Sequence, residues 1–446
     1  MAKAEEKSGG TTEIGPLLEG GSWTGYQKLV LLLTAMAIIL DGFDNQALGL
    51  SIPSIVKDWN VSRQGFAPIF ALGFLGMSLG TAIGGILGDK IGRRLTLIGC
   101  VLVFGITTGL TALANDLTFV ATCRFIAGFG LGGAMPVATA LIAEFSPIRR
   151  RSMAVTLAVV CIPLGGVLGG AVAGQVLPVF GWRTLFVIAG LAPIALAVLL
   201  AVALPESPRF LVRRGRGDAA RKVMARLGHD ANATYADTAE TGAAKASVGV
   251  LFGSAFRRDT LALWFAFFFN LLSVFVVVSW GPALLAGAGF DVRASSNGLM
   301  MWNMGGVVGS ILGAWGMTHF GSRRSMTAAA AAAVLSCVAL AFVPLDPQHM
   351  ALMLIAMTIN GALINAMQSN LYALAAQVYP TEIRATGVGA AAAVGRLGAI
   401  GSSFVGAAVV GAGGAAYFGA VAAAMAVPLI GMIVLRRHTP VFRGKA

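Results

Sequence analysis

The chain has 446 residues, 57% of them hydrophobic and 11% charged, with a formal net charge of +13 and a mean hydropathy of +0.81. A water-soluble domain carries about 25% charged residues, so the composition excludes an ordinary soluble enzyme and points to a polytopic membrane protein. The Lys and Arg excess sits in short clusters between apolar runs, which reads as topology signals and not as a nucleic-acid surface.

Residues 1–22 are polar and Gly-rich, with no apolar core ahead of a cleavage site. A cytoplasmic tail without a signal peptide is expected there. Twelve apolar runs follow, each near the roughly 20 residues that a spanning helix needs. They cover about 26–50, 66–88, 95–114, 117–144, 152–178, 183–204, 260–288, 296–317, 325–344, 350–377, 386–411 and 413–435. The interval 205–258 is polar and begins basic, with Arg209, Arg213, Arg214 and Arg216. It reads as a cytoplasmic linker between a six-helix half at 23–204 and another at 259–438, with a short tail at 439–446. Loops after even-numbered spans carry nine positive residues and loops after odd-numbered spans carry four. The even loops, the linker and both termini are therefore expected in the cytoplasm.

The halves are related. Ala140 to Pro147 resembles Ala373 to Pro380 at an offset of 233, and Arg151 then falls on Arg384. A parallel repeat of six spans is the mark of a carrier with its site between two halves. The fold class expected is an all-α membrane protein with twelve transmembrane helices in two pseudo-symmetric halves. Four cysteines (Cys100, Cys123, Cys161, Cys337) lie within apolar runs and read as buried free thiols. Gly73, Gly76, Gly80, Gly84 and Gly88 recur about every four residues on the second span, and Gly165-Gly166, Gly169-Gly170 and Gly174 mark the fifth. Such spacing lets helices approach closely.

Ionisable residues inside spans single out the chemistry. Asp41 and Asp44 lie three residues apart in the first span. Each costs roughly 2.5–3.5 kcal/mol near the bilayer centre unless it faces a wet cavity or a partner. The alternative is a pair of acids capping a helix end. With the helix entering near Tyr26, Asp41 is roughly 22 Å along it and about 8 Å below the outer edge. Arg124 on the fourth span falls at about 10 Å from the same edge. Arg396 lies near mid-membrane in the eleventh span, while the acids of its half (Asp259, Asp291, Asp346, Glu382) fall at helix ends or in loops. A buried cation needs an anion, and a guanidinium fork matches a carboxylate. A substrate carboxylate, an acid from the other half, or a polar network with Gln368 could meet it. Asn270, Asn303, Gln368 and Tyr372 are candidate polar contacts for ring substituents, or else ordinary interhelical hydrogen-bonding groups. Trp302 could stack on an aromatic ring or anchor a helix at the interface.

Longer stretches carry a resemblance. Gly85-Ile86-Leu87-Gly88-Asp89-Lys90-Ile91-Gly92-Arg93-Arg94 resembles the loop signature of the major facilitator superfamily, and Arg124 to Gly133 resembles its fourth-helix motif. Pro205-Glu206-Ser207-Pro208-Arg209 is similar to the end of the first half in its sugar- and organic-ion-transporting branches. Asp41-Gly42-Phe43-Asp44 resembles the first-helix motif of the aromatic acid:proton symporter family. The superfamily likeness covers about 23–438. It departs in the second half, where Thr318 and Ser322 stand at the places of Asp89 and Arg93.

The resemblance implies the major facilitator fold, in which the first and fourth helices line a central cavity, so that Asp41 could pair with Arg124. It implies import of a small aromatic carboxylate of the benzoate or hydroxybenzoate class with protons, by a monomer in the bacterial inner membrane. Asp41, Asp44 and Arg124 would couple the proton. Arg396 and Arg124 would meet the substrate anion. Gly85, Asp89, Arg93, Glu144 and Arg150 would form a cytoplasmic gate that stabilises the outward-facing state. Besides protons, the substrate and the lipid bilayer, no partner, cofactor, metal or nucleic acid is expected. Other readings stay open: a carrier of another organic anion, an exporter, or a transporter-like sensor. An enzyme has little support, since the chain has no phosphate-binding Gly-Lys-Ser/Thr loop and only four His.

Overall fold

The computed structural model describes residues 12–20, 23–237, 248–380 and 383–438. Glu382, the tail at 439–446 and the first eleven residues lie outside the described residues. Among the described residues ten helices are long and apolar enough to cross a bilayer. They are α2 (Gly25–Trp59), α3 (Ala67–Ile91), α4 (Arg93–Thr111), α5 (Leu117–Phe145), α6 (Ile148–Ala203), α9 (Arg257–Gly287), α11 (Ser322–Phe342), α12 (Met350–Val378), α13 (Arg384–Val409) and α14 (Gly414–Val434). α6 has 56 residues and breaks at Gly181, whose φ of +77° is left-handed, so it supplies the fifth and sixth spans. α10 (Val292–Phe320) completes twelve. Its 29 residues reach about 43 Å at 1.5 Å per residue, and it buries the polar side chains Ser295, Ser296, Asn303 and Ser310.

Two expectations need correction. α2 runs to Trp59, nine residues beyond the apolar run, and ends at Asn60 with φ 52°. Its start is set by a capping box, in which Gln27 N donates to Thr24 Oγ1 at 3.2 Å and Thr24 N donates to Gln27 Oε1 at 2.9 Å. Asp41 and Asp44 therefore stand near the middle of a 35-residue helix and not at its end. The polar N-terminal tail also contains structure. Thr12–Glu13 pairs in parallel with Tyr235–Ala236 of the linker, and α1 (Ile14–Glu19) buries Ile14 and Leu18. Glu19 ties this segment down through Arg151 at 3.2 Å and Arg209 at 3.1 Å. The hydrogen bond from Arg151 and the two nearby guanidinium charges hold its carboxyl below the ordinary value of 4.5. The linker carries two further helices, α7 (Pro208–Arg213) and α8 (Gly217–Arg226).

Glycines set the closest helix pairs, and the pairs repeat between the halves. A methyl group at Gly80 would fall 2.0 Å from the Phe129 carbonyl, and one at Gly132 would fall 2.0 Å from the Met77 carbonyl, which locks α3 on α5. The counterparts in the second half are α10 and α12, where Gly305 meets Thr358 O and Gly361 meets Trp302 O, both at 1.9 Å. Likewise Gly165 seats α6 on α2 against Ile39 O at 2.0 Å, and Gly398 seats α13 on α9 against Phe268 O at 2.0 Å. Small residues allow such contact, and in lipid it is packing that drives helix association.

The halves meet on the face away from the linker. A methyl group at Gly49 of α2 would fall 2.9 Å from Ser279 O of α9. Phe70 lies 5.5 Å from Trp280, and Phe74 lies 4.5 Å from Phe275, between ring centroids. Toward the linker face the same surfaces part. Gly85 continues the helix stripe of Phe74, and Gly389 continues that of Arg396. A methyl group at either would meet nothing within 4 Å. The chain is closed at the far face and open toward the linker face.

Candidate functional site

The midpoint of α2 brings the two acids to different partners. Asp44 is bound inside the first half: Arg124 Nη1 donates to Asp44 Oδ2 at 3.2 Å, and Thr108 of α4 donates to Asp44 Oδ1 at 2.5 Å. Arg124 Nη2 donates in turn to Thr108 Oγ1 at 2.6 Å, and its guanidinium lies 5.5 Å from the Phe186 ring centre. The pairing of Arg124 with Asp41 expected from depth is thus replaced by pairing with Asp44. The i, i+3 offset places the two carboxylates about 60° apart around the helix, and the second faces α5. Asp41 is buried, and its Oδ1 has no hydrogen-bond partner among the described residues.

Asp41 instead lies in the field of Arg396 across the interface between the halves, with Asp44 as the nearby like charge. Arg396 is half-buried on α13 and forms no ion pair among the described residues. Its Nη1 lies 3.8 Å from Met77 Sδ, which Asn45 also approaches at 4.0 Å. Tyr372 of α12 lies within the reach of the same guanidinium and packs edge-on to Phe267 at 5.0 Å. Asp41, Met77, Tyr372 and Arg396 therefore surround one central region, drawn from both halves.

Four of the neutral candidates are hydrogen-bonded to other side chains. Asn270 donates to Gln368 at 2.5 Å, linking α9 to α12. Trp302 is buried, and its indole N–H donates to Asn360 at 3.0 Å. This places Trp302 in the α10–α12 contact, not at a membrane interface. It also borders a central cavity of about 60 Å³, together with Asn45, Phe275 and Asn365. Asn303 exchanges two hydrogen bonds with Gln46 of the other half, at 3.0 and 2.8 Å.

A pattern of twelve spans, repeated helix pairs and a charged centre between two halves is matched by the family model described as "Major Facilitator Superfamily", over residues 34–403. The chain belongs to the major facilitator superfamily. It is 33% identical over 395 residues to the 4-hydroxybenzoate transporter PcaK of Pseudomonas aeruginosa, covering 87% of each chain. It is 34% identical to a gallate transporter of Pseudomonas putida, covering 87% of this chain and 86% of that one. Among solved structures, a partially occluded inward-open xylose transporter XylE from E. coli superposes with a TM-score of 0.72 at 17% identity, over 95% of this chain and all of the other. The superfamily consists of transporters, and this chain is a multi-pass membrane transporter and not an enzyme.

At the linker face the superfamily's loop signature is partly assembled. Arg93 pairs with Glu144 at 3.0 Å and reaches Asp89 at 3.8 Å, although the Asp89 side chain is 79% exposed. Arg150 is exposed and forms no ion pair among the described residues; in that first turn of α6 it is Arg151 that does, with Glu19. Gly85 borders open space because the halves are apart here. Glu206 holds the hairpin. Its Oε1 accepts from Arg93 N at 2.9 Å and Arg94 N at 3.1 Å, satisfying two orphan donors at the start of α4. The Pro205 to Arg209 motif contained Glu206 but gave no hint of that role. Thr108, Met77 and Gln46 were likewise missed, because an ordinary Thr, Met or Gln in a span carries no signal until its neighbours are known.

Proposed function

We propose that this transporter imports a small aromatic carboxylate of the benzoate or hydroxybenzoate class by proton symport across the bacterial inner membrane, with both termini and the linker in the cytoplasm. The observation that carries the reading is Arg396: a guanidinium at the middle of α13, without an ion-pair partner among the described residues, in the field of a buried aspartate of the other half. A fork-shaped cation suits a substrate carboxylate. An anion entering at Arg396 would be repelled by ionised Asp41. A proton on Asp41 removes that repulsion, so proton and anion favour each other's binding, and the coupling is reciprocal. Asp44 is neutralised by Arg124 and serves to hold α2, α4 and α5 in register.

The relatives support an aromatic acid as cargo. Besides the hydroxybenzoate and gallate carriers, the chain is 30% identical over 388 residues to the niacin transporter NiaP of Acinetobacter baylyi, which favours a heteroaromatic carboxylate as the second reading. Residues 205–237, basic and docked with α1 beneath the first half, fit the cytoplasmic side.

The deciding experiment is uptake of labelled 4-hydroxybenzoate into proteoliposomes. Accumulation driven by an inward proton gradient, abolished by an uncoupler and by Arg396→Ala, is the expected result. Uptake indifferent to the gradient would remove the symport. Absence of binding to 4-hydroxybenzoate, with binding to nicotinate, would select the second reading.

A further inference from the structure

We infer that Gln46 and Asn303 form a matched amide clasp between the two halves, that a mismatch in it favours opening of the far face, and that opening of that face requires the two amides to part. Gln46 Nε2 donates to Asn303 Oδ1 at 3.0 Å, and Asn303 Nδ2 donates to Gln46 Oε1 at 2.8 Å. Both side chains are buried, at 4% and 1% exposure. Asn303 Nδ2 also donates to Leu299 O at 2.8 Å, which fixes its rotamer on α10. The pair is enclosed by Gly166 of α6, where a methyl group would fall 2.1 Å from Gln46 Nε2 and 2.5 Å from Asn303 Oδ1. A side chain there would have to displace one or both amides.

The surroundings explain why this contact acts as a switch. Much of the rest of the far-face seal is apolar or backbone: Phe70 on Trp280, Phe74 on Phe275, and Gly49 on Val278 and Ser279, although Arg63 also lies against Gly287 and Asn297 against Gly174. Such contacts weaken gradually as surfaces slide. A reciprocal amide pair is complete or broken. While closed, each amide satisfies the other with both side chains almost fully shut off from bulk solvent. When the far face opens, both can be hydrated. The clasp therefore adds little net energy while intact, but losing one partner strands the other only in the closed state. The consequence is asymmetric. Removing one amide biases the carrier toward the far-face-open state, whereas removing both does not.

The test is a cysteine-accessibility cycle on the full chain in detergent, with the four native cysteines changed to alanine. Detergent exposes both faces, so the result does not depend on the proposed orientation, cargo or proton coupling. One probe is Ser279→Cys, buried in the far-face seal; the other is Gly389→Cys, exposed toward the linker face. In Gln46→Leu and in Asn303→Leu, maleimide labelling at 279 should rise about tenfold while labelling at 389 falls. The double variant Gln46→Leu/Asn303→Leu should return to within about threefold of the parent, since no amide is stranded. The exchanged pair Gln46→Asn/Asn303→Gln should also stay near the parent. Single variants that label like the parent, or a double variant shifted as far as the singles, would overturn the clasp. So would labelling that rises at both probes, which reports loosened packing.

Discussion

Arg124 grips Asp44 at 3.2 Å and leaves Asp41 to the other half, although the two aspartates stand three residues apart on one helix. Neighbours in sequence are thereby assigned to different tasks, and their substitutions should separate. Asp44→Asn removes the counter-charge of a buried guanidinium that has few other partners. Breaking such a pair costs about 3–5 kcal/mol, so the variant should lose thermal stability in detergent. Asp41→Asn removes no ion pair. It should keep its melting temperature and exchange substrate across the membrane, but fail to accumulate it against a gradient. Equal loss of stability in both variants would refute the division.

Arg396 offers a second separation, between charge and shape. Arg396→Ala should weaken substrate binding by about 2–5 kcal/mol, the range for truncating one partner of a buried charge pair. Arg396→Lys keeps the charge but loses the planar fork, and should bind more weakly than the parent and more tightly than Arg396→Ala. Titration calorimetry with 4-hydroxybenzoate and with the uncharged methyl ester checks this. The ester should bind the parent and Arg396→Ala alike. An ester that distinguishes the two would place Arg396 outside the carboxylate contact.

The docked N-terminal segment should be pH-sensitive. Glu19 has its carboxyl pKa lowered from 4.5 by Arg151 and Arg209. A lowered carboxylate stabilises the docked form fully above the unfolded value, and that contribution is lost as pH falls through the folded value. Hydrogen exchange of residues 12–20, corrected for intrinsic rates, should therefore speed up below about pH 4.5. In Glu19→Gln it should be fast at every pH. Because Glu19 is partly exposed, the effect is confined to local opening and should leave global melting unchanged.

Much of this architecture is written at low resolution in the chain. Apolar run length marks the spans, because lipid demands about 20 residues per crossing. Repeated Gly positions mark the helix pairs, because only a missing Cβ lets Gly80 approach Phe129 O. Arg396 was legible as a cation with no acid beside it in its own half, from the positions of Asp259, Asp291, Asp346 and Glu382 along the chain. The partner of Arg124 was not. Depth along a helix could place Asp41 and Asp44 only to within a turn, and the choice between them depends on the helix rotation that packs α2 against α5. The roles of Gln46 and Glu206 were illegible for a related reason. Each acts across more than 100 residues of chain, on Asn303 and on the backbone of Arg93. The docked α1 was hidden by its length, since a six-residue helix has too few turns to show a period.

Two glycines on α3 should respond in opposite ways to the same substitution. Gly80 faces the Phe129 backbone of its own half, where a methyl group would fall 2.0 Å from the carbonyl. Backbone cannot yield there as a side-chain tip can, so Gly80→Val should destabilise the protein by about 1–3 kcal/mol through overpacking. Gly85, little more than a turn further along, meets nothing within 4 Å in the state open to the linker face. Gly85→Val should therefore melt like the parent. If the linker face must close during the cycle, the valine will stand where the second half has to come. Transport should then fall at least tenfold while substrate affinity measured in detergent is retained. Melting temperature and proteoliposome uptake of the two variants, measured side by side, check both halves of the claim. Full transport by Gly85→Val would mean that the halves do not approach each other at this point of α3.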